Sequence, residues 1–300
     1  MNQPVTGVTS RTIAFQRGYL PWRNPQPRLQ ALYGGTILHF DPQASAMALV
    51  DFVWGELARA FPECDPRQAQ FALAPQEFFA RVSSLRVRLR EDPRSKPLIR
   101  AMLREFGCDL TQAYCDFLRL RAVQSDGHLN PAASSAYLLH RDNWYANPAA
   151  QINWWLPVCD VAAAESPVFY PDYFDRQIRN SSRGFDYTQW KEQGGWQSPN
   201  SSKHFPSVLE PPGGTPVQFE AKAGEVVMFS GTHLHGTAPH STGKTRFSIE
   251  VRVVHGPDLE PLRQTRNQDN QSRGHAEDDY FNAGDFSAYP GRIRAPDAQQ

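Results

Sequence analysis

The apolar positions of this chain change period near residue 113. Before that point they recur at helical spacing. Val50, Val53, Trp54, Leu57, Ala58 and Phe61 form one stripe, and Asp41-Pro42 offers an N-cap oxygen and an N1 proline ahead of it, so a helix is predicted over 43–61. Pro75 opens a second helix, carried by Phe78, Phe79, Val82 and Leu85. Pro97 opens a third, carried by Ile99, Met102, Leu103 and Phe106, and Gly107 ends it. Each stripe covers one side only, so the three helices are expected on one outer face of a sheet. Residues 36–40 read as a strand, and residues 1–35, polar and proline-rich, read as extended.

From Tyr114 the period becomes two. YCDFLRLRAVQ places Phe117, Arg119 and Arg121 on one side, with Asp116, Leu118 and Leu120 on the other. Residues 135–140, 151–158 and 167–170 are the next predicted strands. In the second of these Asn153 and Trp155 share a face, and Trp154 and Leu156 share the other. The Ala223-Gly224 turn opens an apolar run over 225–229. From Thr245 alternation is strict: Phe247, Ile249, Val251 and Val253 face one way, and Arg246, Ser248, Glu250 and Arg252 the other. The apolar face must meet a core, whereas the polar face meets water or a cavity. Arg252 reads as an exposed strand arginine.

Paired short strands behind three amphipathic helices define the expected fold class. It is mainly β with flanking helices: a double-stranded β-helix (jelly roll) core with the N-terminal helices packed on one face. A single domain is expected over 1–300. Within it, 1–112 is helical support, 113–254 is the core, and 255–300 is a polar tail. Residues 175–215 have little periodicity and are far longer than an ordinary loop, which suggests a lid. Trp190 and Trp196 inside this stretch favour a covering segment over disorder.

Composition narrows the function classes. The 300 residues are 40% hydrophobic, enough for a core, and 31 basic side chains balance 31 acidic ones. That balance leaves no electrostatic footprint for nucleic acid or an anionic membrane. No apolar run resembles a signal peptide or a membrane span. Cys64, Cys108, Cys115 and Cys159 show no CxxC pairing and read as reduced thiols of a cytoplasmic protein.

The candidate chemistry lies in YLLHRDNWY, residues 137–145, and downstream. His140 and Asp142 are two apart, so an extended chain points both to one face. His235 stands eleven residues before Arg246. Two histidines and a carboxylate form the facial triad of non-haem Fe(II) sites, with three positions left open. Arg246, with the Ser248 hydroxyl beside it, suits the far carboxylate of a dicarboxylic acid. Strand parity turns Tyr137 and Asn153 to the same pocket, as contacts to that acid or as structural groups. His233 lies on the same side of an extended chain as His235, so geometry leaves both open as the distal ligand; His240 is a third candidate.

Taken together, His140-Arg141-Asp142, His235 and Arg246-Phe247-Ser248 resemble the motif set of Fe(II)/2-oxoglutarate dioxygenases. HxD alone recurs by chance; the combination is specific. The His-to-Arg spacing and Gly236-Thr237-Ala238-Pro239-His240 are most similar to the phytanoyl-CoA dioxygenase-like branch, over roughly 113–254. The resemblance implies that His140, Asp142 and His235 bind Fe(II), the His-to-Arg offset favouring His235. It implies that Arg246 and Ser248 hold the C5 carboxylate of 2-oxoglutarate, and that O2 is consumed while 2-oxoglutarate is decarboxylated to succinate. The expected reaction is hydroxylation at an unactivated C–H bond of a small metabolite. Desaturation, ring closure and demethylation share its first step. Asp142 fills the position that related halogenases give to a small residue, which argues against halogenation. Arg119, Arg121, Trp144, Trp155 and Tyr170 are the candidate substrate contacts. Two other readings stay open: a cupin-type metalloenzyme that uses His233-x-His235 without 2-oxoglutarate, and a jelly-roll binding protein without catalysis.

Overall fold

The computed structural model describes residues 15–17, 30–195, 205–260 and 263–291. In chain order the strands are β1 (Phe15–Arg17), β2 (Ile37–Phe40), β3 (Ala113–Cys115), β4 (Arg119–Val123), β5 (Ile152–Pro157), β6 (Pro167–Phe169), β7 (Val226–Ser230), β8 (His235–Thr237), β9 (Arg246–His255) and β10 (Phe281–Asn282). Eight of them form one sheet in the order β1-β2-β7-β5-β9-β3-β10, with β4 also paired to β9. β1 and β2 run parallel; every other pairing is antiparallel. β6 and β8 make a second, smaller layer, extended by bridges from Phe169 to Val217 and from His140 to His235. This is the mainly antiparallel jelly roll with flanking helices that the pattern predicts.

The side chains sort by parity. Phe247, Ile249, Val251 and Val253 of β9 join Trp154 and Leu156 of β5, Met228 of β7 and Leu120 of β4 in one buried cluster. Three helices cover that cluster: α1 (Ala44–Ala60), α2 (Pro75–Glu91) and α3 (Ser95–Glu105). The opposite face of β9, β5 and β4 is left for the site.

Four details depart from the sequence pattern. α1 begins at Ala44 and not at the Asp41-Pro42 cap, because the cap arrives from elsewhere in the fold: Glu105 at the end of α3 accepts from the Ser45 amide at 2.8 Å. α3 begins two residues before Pro97, which its first turn tolerates because those N–H groups lack helical acceptors. The continuous strand expected from Tyr114 breaks at Asp116, whose carboxylate bonds Arg119 Nε at 2.7 Å and the Arg252 amide at 2.9 Å. The predicted strand over 135–140 is a 3-10 segment, Pro131–Tyr137, that becomes extended only at the His140 bridge. Its alanines and serines lack the branched side chains that favour a pleated surface.

Among the described residues of 175–215, a short helix, α4 (Tyr187–Glu192), and a bridge from Asn180 to Val208 supply order, and Trp190 is buried. Trp196 lies outside the described residues. Among the described residues after 255, β10 and the buried side chains of Thr265 and Tyr280 pack on the body. Cys64, Cys108, Cys115 and Cys159 are free thiols. Among the described residues, no helix is long and apolar enough to cross a membrane.

Candidate metal centre

His140 and Asp142 flank Arg141, whose backbone is extended (φ −113°, ψ 142°), so the period-two argument holds across these three residues. Asp142 then opens a 3-10 turn, Asp142–Tyr145. His235 reaches the pair from β8: the amide of His140 donates to the His235 carbonyl at 2.9 Å, and the reverse bond is also 2.9 Å. Gly236 permits this approach. A Cβ there would lie 2.8 Å from Leu139 Cδ2 and 3.0 Å from the Leu138 carbonyl oxygen.

Three donors converge. Asp142 Oδ1 is 3.7 Å from His140 Nε2, and Asp142 Oδ2 is 4.0 Å from His235 Nε2. One donor atom from each residue lies within 4.8 Å of the others. Each imidazole is aimed by its far nitrogen. His140 Nδ1 bonds the Leu138 carbonyl and His235 Nδ1 bonds the His233 carbonyl, both at 2.9 Å. A carbonyl only accepts, so both Nδ1 atoms carry the proton and both Nε2 lone pairs face the cluster. Burial and the nearby His140 ring lower the His235 pKa to about 4, which keeps that ring neutral and fit to ligate.

Asp142 is held on all sides. Gln151 Nε2 donates to Oδ2 at 3.0 Å, Asn153 Nδ2 donates to the same oxygen, and Arg252 Nη2 reaches Oδ1 at 3.4 Å. Burial alone would raise the carboxyl's pKa; the Arg252 guanidinium outweighs it and keeps Asp142 ionised well below the usual carboxylate range. Two neutral imidazoles and one carboxylate, with a face left open to a cavity, fit a divalent ion of the Fe(II) type.

That cavity encloses about 620 Å³ and is bounded by His140, His235, Arg246, Trp155, Tyr145 and Trp190, among others. Arg246 is buried, its Nη1 donates to Ser248 Oγ at 3.2 Å, and its Cζ lies 5.8 Å from the centre of the Trp155 ring. Its Nε has no hydrogen-bond partner, and among the described residues no carboxylate lies within 4.0 Å of its guanidinium. Burial and repulsion from Arg121 lower its pKa to about 10. A buried guanidinium without a carboxylate fits a ligand that brings one.

The other predicted residues divide. Arg119, Arg121 and Trp155 line the cavity. Tyr137 stands close enough to Arg246 for the two to interact electrostatically. Asn153 spends its amide on Asp142 and Gln151 and so positions the ligand carboxylate. Trp144 does not reach the cavity: it is fully buried and donates through Nε1 to Asp269 at 2.8 Å. Tyr170 packs in that same separate cluster, with Leu234 and Ile178. His233 packs against Phe174, ring centres 4.5 Å apart, outside the triad, and His240 Nδ1 bonds Thr242 Oγ1 at 3.1 Å. Arg252, read as exposed, is buried against Asp142 and Glu250 because the polar face of β9 meets a cavity and not water. Gln151, Arg252 and the Tyr280 hydroxyl, which donates to Gln151 Oε1 at 2.9 Å, carried no motif.

A jelly roll that gathers two imidazoles, a carboxylate and a buried guanidinium around one cavity defines a non-haem metal-dependent oxygenase. The profile of the phytanoyl-CoA dioxygenase (PhyH) family matches residues 77–248, more than half of the chain, and the protein belongs to that family. The family comprises non-haem Fe(II)/2-oxoglutarate-dependent enzymes. Similar solved structures include SnoN, a "non-heme alpha ketoglutarate dependent epimerase" from nogalamycin biosynthesis, at 15% identity over 77% of this chain and 84% of that one, with a TM-score of 0.39. EvdO2 from Micromonospora carbonacea var. aurantiaca is 11% identical over 84% of this chain and 100% of that one, with a TM-score of 0.41. AviO1 from Streptomyces viridochromogenes Tue57 is 12% identical over 77% and 95%, with a TM-score of 0.39. No curated protein matches the chain.

Proposed function

We propose that this dioxygenase hydroxylates an unactivated C–H bond of a small molecule, with Fe(II), 2-oxoglutarate and O2 as reactants and succinate and CO2 as by-products. The observation that carries the reading is Arg246, a buried cation without a carboxylate partner among the described residues, in the cavity that His140 and His235 also line. Fe(II) and 2-oxoglutarate, when bound, supply an oxidant able to remove hydrogen from an unactivated carbon. The protein's part is orientation and exclusion of water.

His140, His235 and Asp142 would hold the metal, and their hydrogen bonds to Leu138, His233, Gln151 and Asn153 fix the donor directions. Arg246 and Ser248 take the C5 carboxylate of 2-oxoglutarate, with Tyr137 nearby. Phe185, Tyr187 and Trp190 line the cavity from the 175–215 segment, which supports its role as the cover. Helices α1, α2 and α3 serve as the support of the catalytic core. Asp142 occupies the carboxylate position of the triad, which favours hydroxylation over halogenation.

The test is anaerobic titration of the Fe(II)-loaded protein with 2-oxoglutarate. A visible metal-to-ligand charge-transfer band is expected, followed by succinate release on admitting air. A cupin-type enzyme that does not use 2-oxoglutarate gives no such band, and its absence sinks the reading.

A further inference from the structure

The cavity is far more basic than the chain. Six guanidiniums line it, from Arg86, Arg90, Arg119, Arg121, Arg246 and Arg252, against two lining carboxylates, Glu250 and Asp279. The protein as a whole has no net charge. Three of the six are matched. Arg119 bonds Asp116 at 2.7 Å, Arg252 lies 3.4 Å from Asp142, and Arg90 lies 3.4 Å from Glu91. Asp279 is engaged by Lys191 and by the Tyr187 hydroxyl. Arg246 is assigned above to 2-oxoglutarate.

Two guanidiniums at the rim remain: Arg86 has no carboxylate among the described residues, and Arg121 shares its one with Arg252. Arg86 on α2 donates through Nε to the Leu120 carbonyl at 3.1 Å, and among the described residues no carboxylate lies within 4.0 Å of it. Arg121 on β4 bonds Glu250 through Nε at 2.9 Å, and its side chain is 43% exposed. Glu250 must also serve Arg252, 3.6 Å away. Arg86 and Arg121 repel each other, and Arg121 repels Arg246 in turn. One shared carboxylate cannot neutralise this row, so an anion entering between Arg86 and Arg121 relieves repulsion and gains charge-assisted hydrogen bonds.

Elsewhere the cavity wall is aromatic. Tyr145 packs edge-on to His140, ring centres 5.2 Å apart, and to Phe185 at 5.7 Å. Trp190 continues this wall 6.1 Å from Phe185. Such a surface takes an apolar or ring-shaped body and holds it beside the triad.

We infer that the substrate is an amphipathic organic anion whose carboxylate or phosphate docks on Arg86 and Arg121 while its apolar part lies against Tyr145, Phe185 and Trp190. This assignment deepens the oxygenase reading and rests on it for the fate of the bound molecule.

The experiment is isothermal titration of the anaerobic Fe(II)/2-oxoglutarate protein with three probes of one skeleton: 4-phenylbutyrate, 4-phenylbutyl phosphate and 4-phenylbutanol. At least one anion is expected to bind roughly tenfold or more tightly than the alcohol, and the stronger anion identifies the headgroup. Arg86→Gln, at an exposed helix position, is expected to abolish that preference, Arg86→Lys to restore part of it, and Arg121→Gln to weaken it. Equal affinities, no binding of any probe, or a preference that survives both glutamine variants overturns the inference. The charge-transfer band, recorded on the same samples, reports separately on iron and 2-oxoglutarate, so loss of the band with anion preference retained indicts the oxygenase reading and spares the anion site.

Discussion

Arg252 Nη2 lies 3.4 Å from Asp142 Oδ1, and Arg252 Nε lies 3.6 Å from Glu250 Oε1, so one buried guanidinium sits between a metal-ligand carboxylate and a cavity carboxylate. Burial works against its charge, and the two carboxylates more than compensate, raising its pKa. Removing the cation leaves both anions short of a partner in a site that water enters poorly. Arg252→Met is therefore expected to lower the unfolding free energy by about 3–5 kcal/mol. Urea unfolding of the metal-free protein measures this, and a loss under about 1 kcal/mol contradicts it.

The same cluster sets an acid limit. Burial pushes the Glu250 carboxyl up, but Arg121 and Arg252 prevail and bring it from 4.5 down to about 2. A folded pKa below the unfolded one contributes stability that is complete above pH 4.5 and is lost as pH falls toward 2. The contribution is on the order of a few kcal/mol at neutral pH. Glu250→Gln removes it, so the stability gap between wild type and variant should narrow from pH 7 to pH 3 in urea unfolding. A gap that stays constant or widens in acid excludes this coupling.

Under the proposed function, Asn153 should act on a bound iron through Asp142. Its side-chain amide donates to Asp142 Oδ2 and its Oδ1 accepts from Gln151 Nε2 at 2.7 Å. Loss of such an orienting partner typically weakens a metal site about 10–100-fold. Asn153→Ala is expected to raise the Fe(II) dissociation constant by that factor. 2-Oxoglutarate affinity at saturating iron should change much less. A variant that loses 2-oxoglutarate while keeping iron places Asn153 on the cosubstrate instead.

How far the sequence reached depends on the range of the interactions involved. Alternation over Arg246–Val253 and the HxD spacing are local, and local geometry carried them directly into the sheet and the triad. The polar face of β9 was legible as a face, but whether it met water or a cavity depended on β4 and β5, so Arg252 read as exposed. Glu105 caps α1 from 60 residues away, and no N-terminal signal near Asp41 reports that. Trp144 read as a pocket aromatic because parity could not anticipate Asp269, 125 residues downstream. Asp269 itself sits in a stretch whose composition suggests nothing beyond a polar tail.

Under the proposed function, a change at Arg246 should separate cosubstrate binding from metal binding. Arg246 touches Ser248 and faces Trp155, and it makes no contact with the three donor residues among its hydrogen bonds and ion pairs. Arg246→Ala is expected to weaken 2-oxoglutarate by about 100-fold, in line with loss of a buried charge-assisted pair, with Fe(II) affinity nearly unchanged. Arg246→Lys keeps the charge but not the fork and should recover part of that loss. Anaerobic titration of the charge-transfer band gives the first constant and direct Fe(II) titration the second. Loss of iron in both variants shows that Arg246 supports the triad and not the cosubstrate.

Arg141, between His140 and Asp142, turns to the opposite side and pins that segment from behind. Its Nη1 donates to the Thr232 carbonyl at 2.6 Å and its Nη2 to the carbonyls of Tyr173 and Arg176 at 2.7 and 2.8 Å. Asp269 completes the set, 3.1 Å from Arg141 Nε, and also accepts from Trp144 Nε1 and the Ile178 amide. One buried ion pair thus ties the His140 segment, the turn before His235, the 173–178 segment and the C-terminal segment together. Asp269→Ala breaks the pair from its distant end without touching the triad. It leaves the Arg141 guanidinium buried without its carboxylate, at an expected cost of about 3–5 kcal/mol. If the pin also sets the ligand directions, Fe(II) affinity should fall about tenfold at temperatures where the variant remains folded. Circular dichroism establishes the folded fraction and Fe(II) titration reads the site. A fully folded variant with wild-type iron affinity would reduce the Arg141–Asp269 pair to a stabilising contact with no hold on the metal.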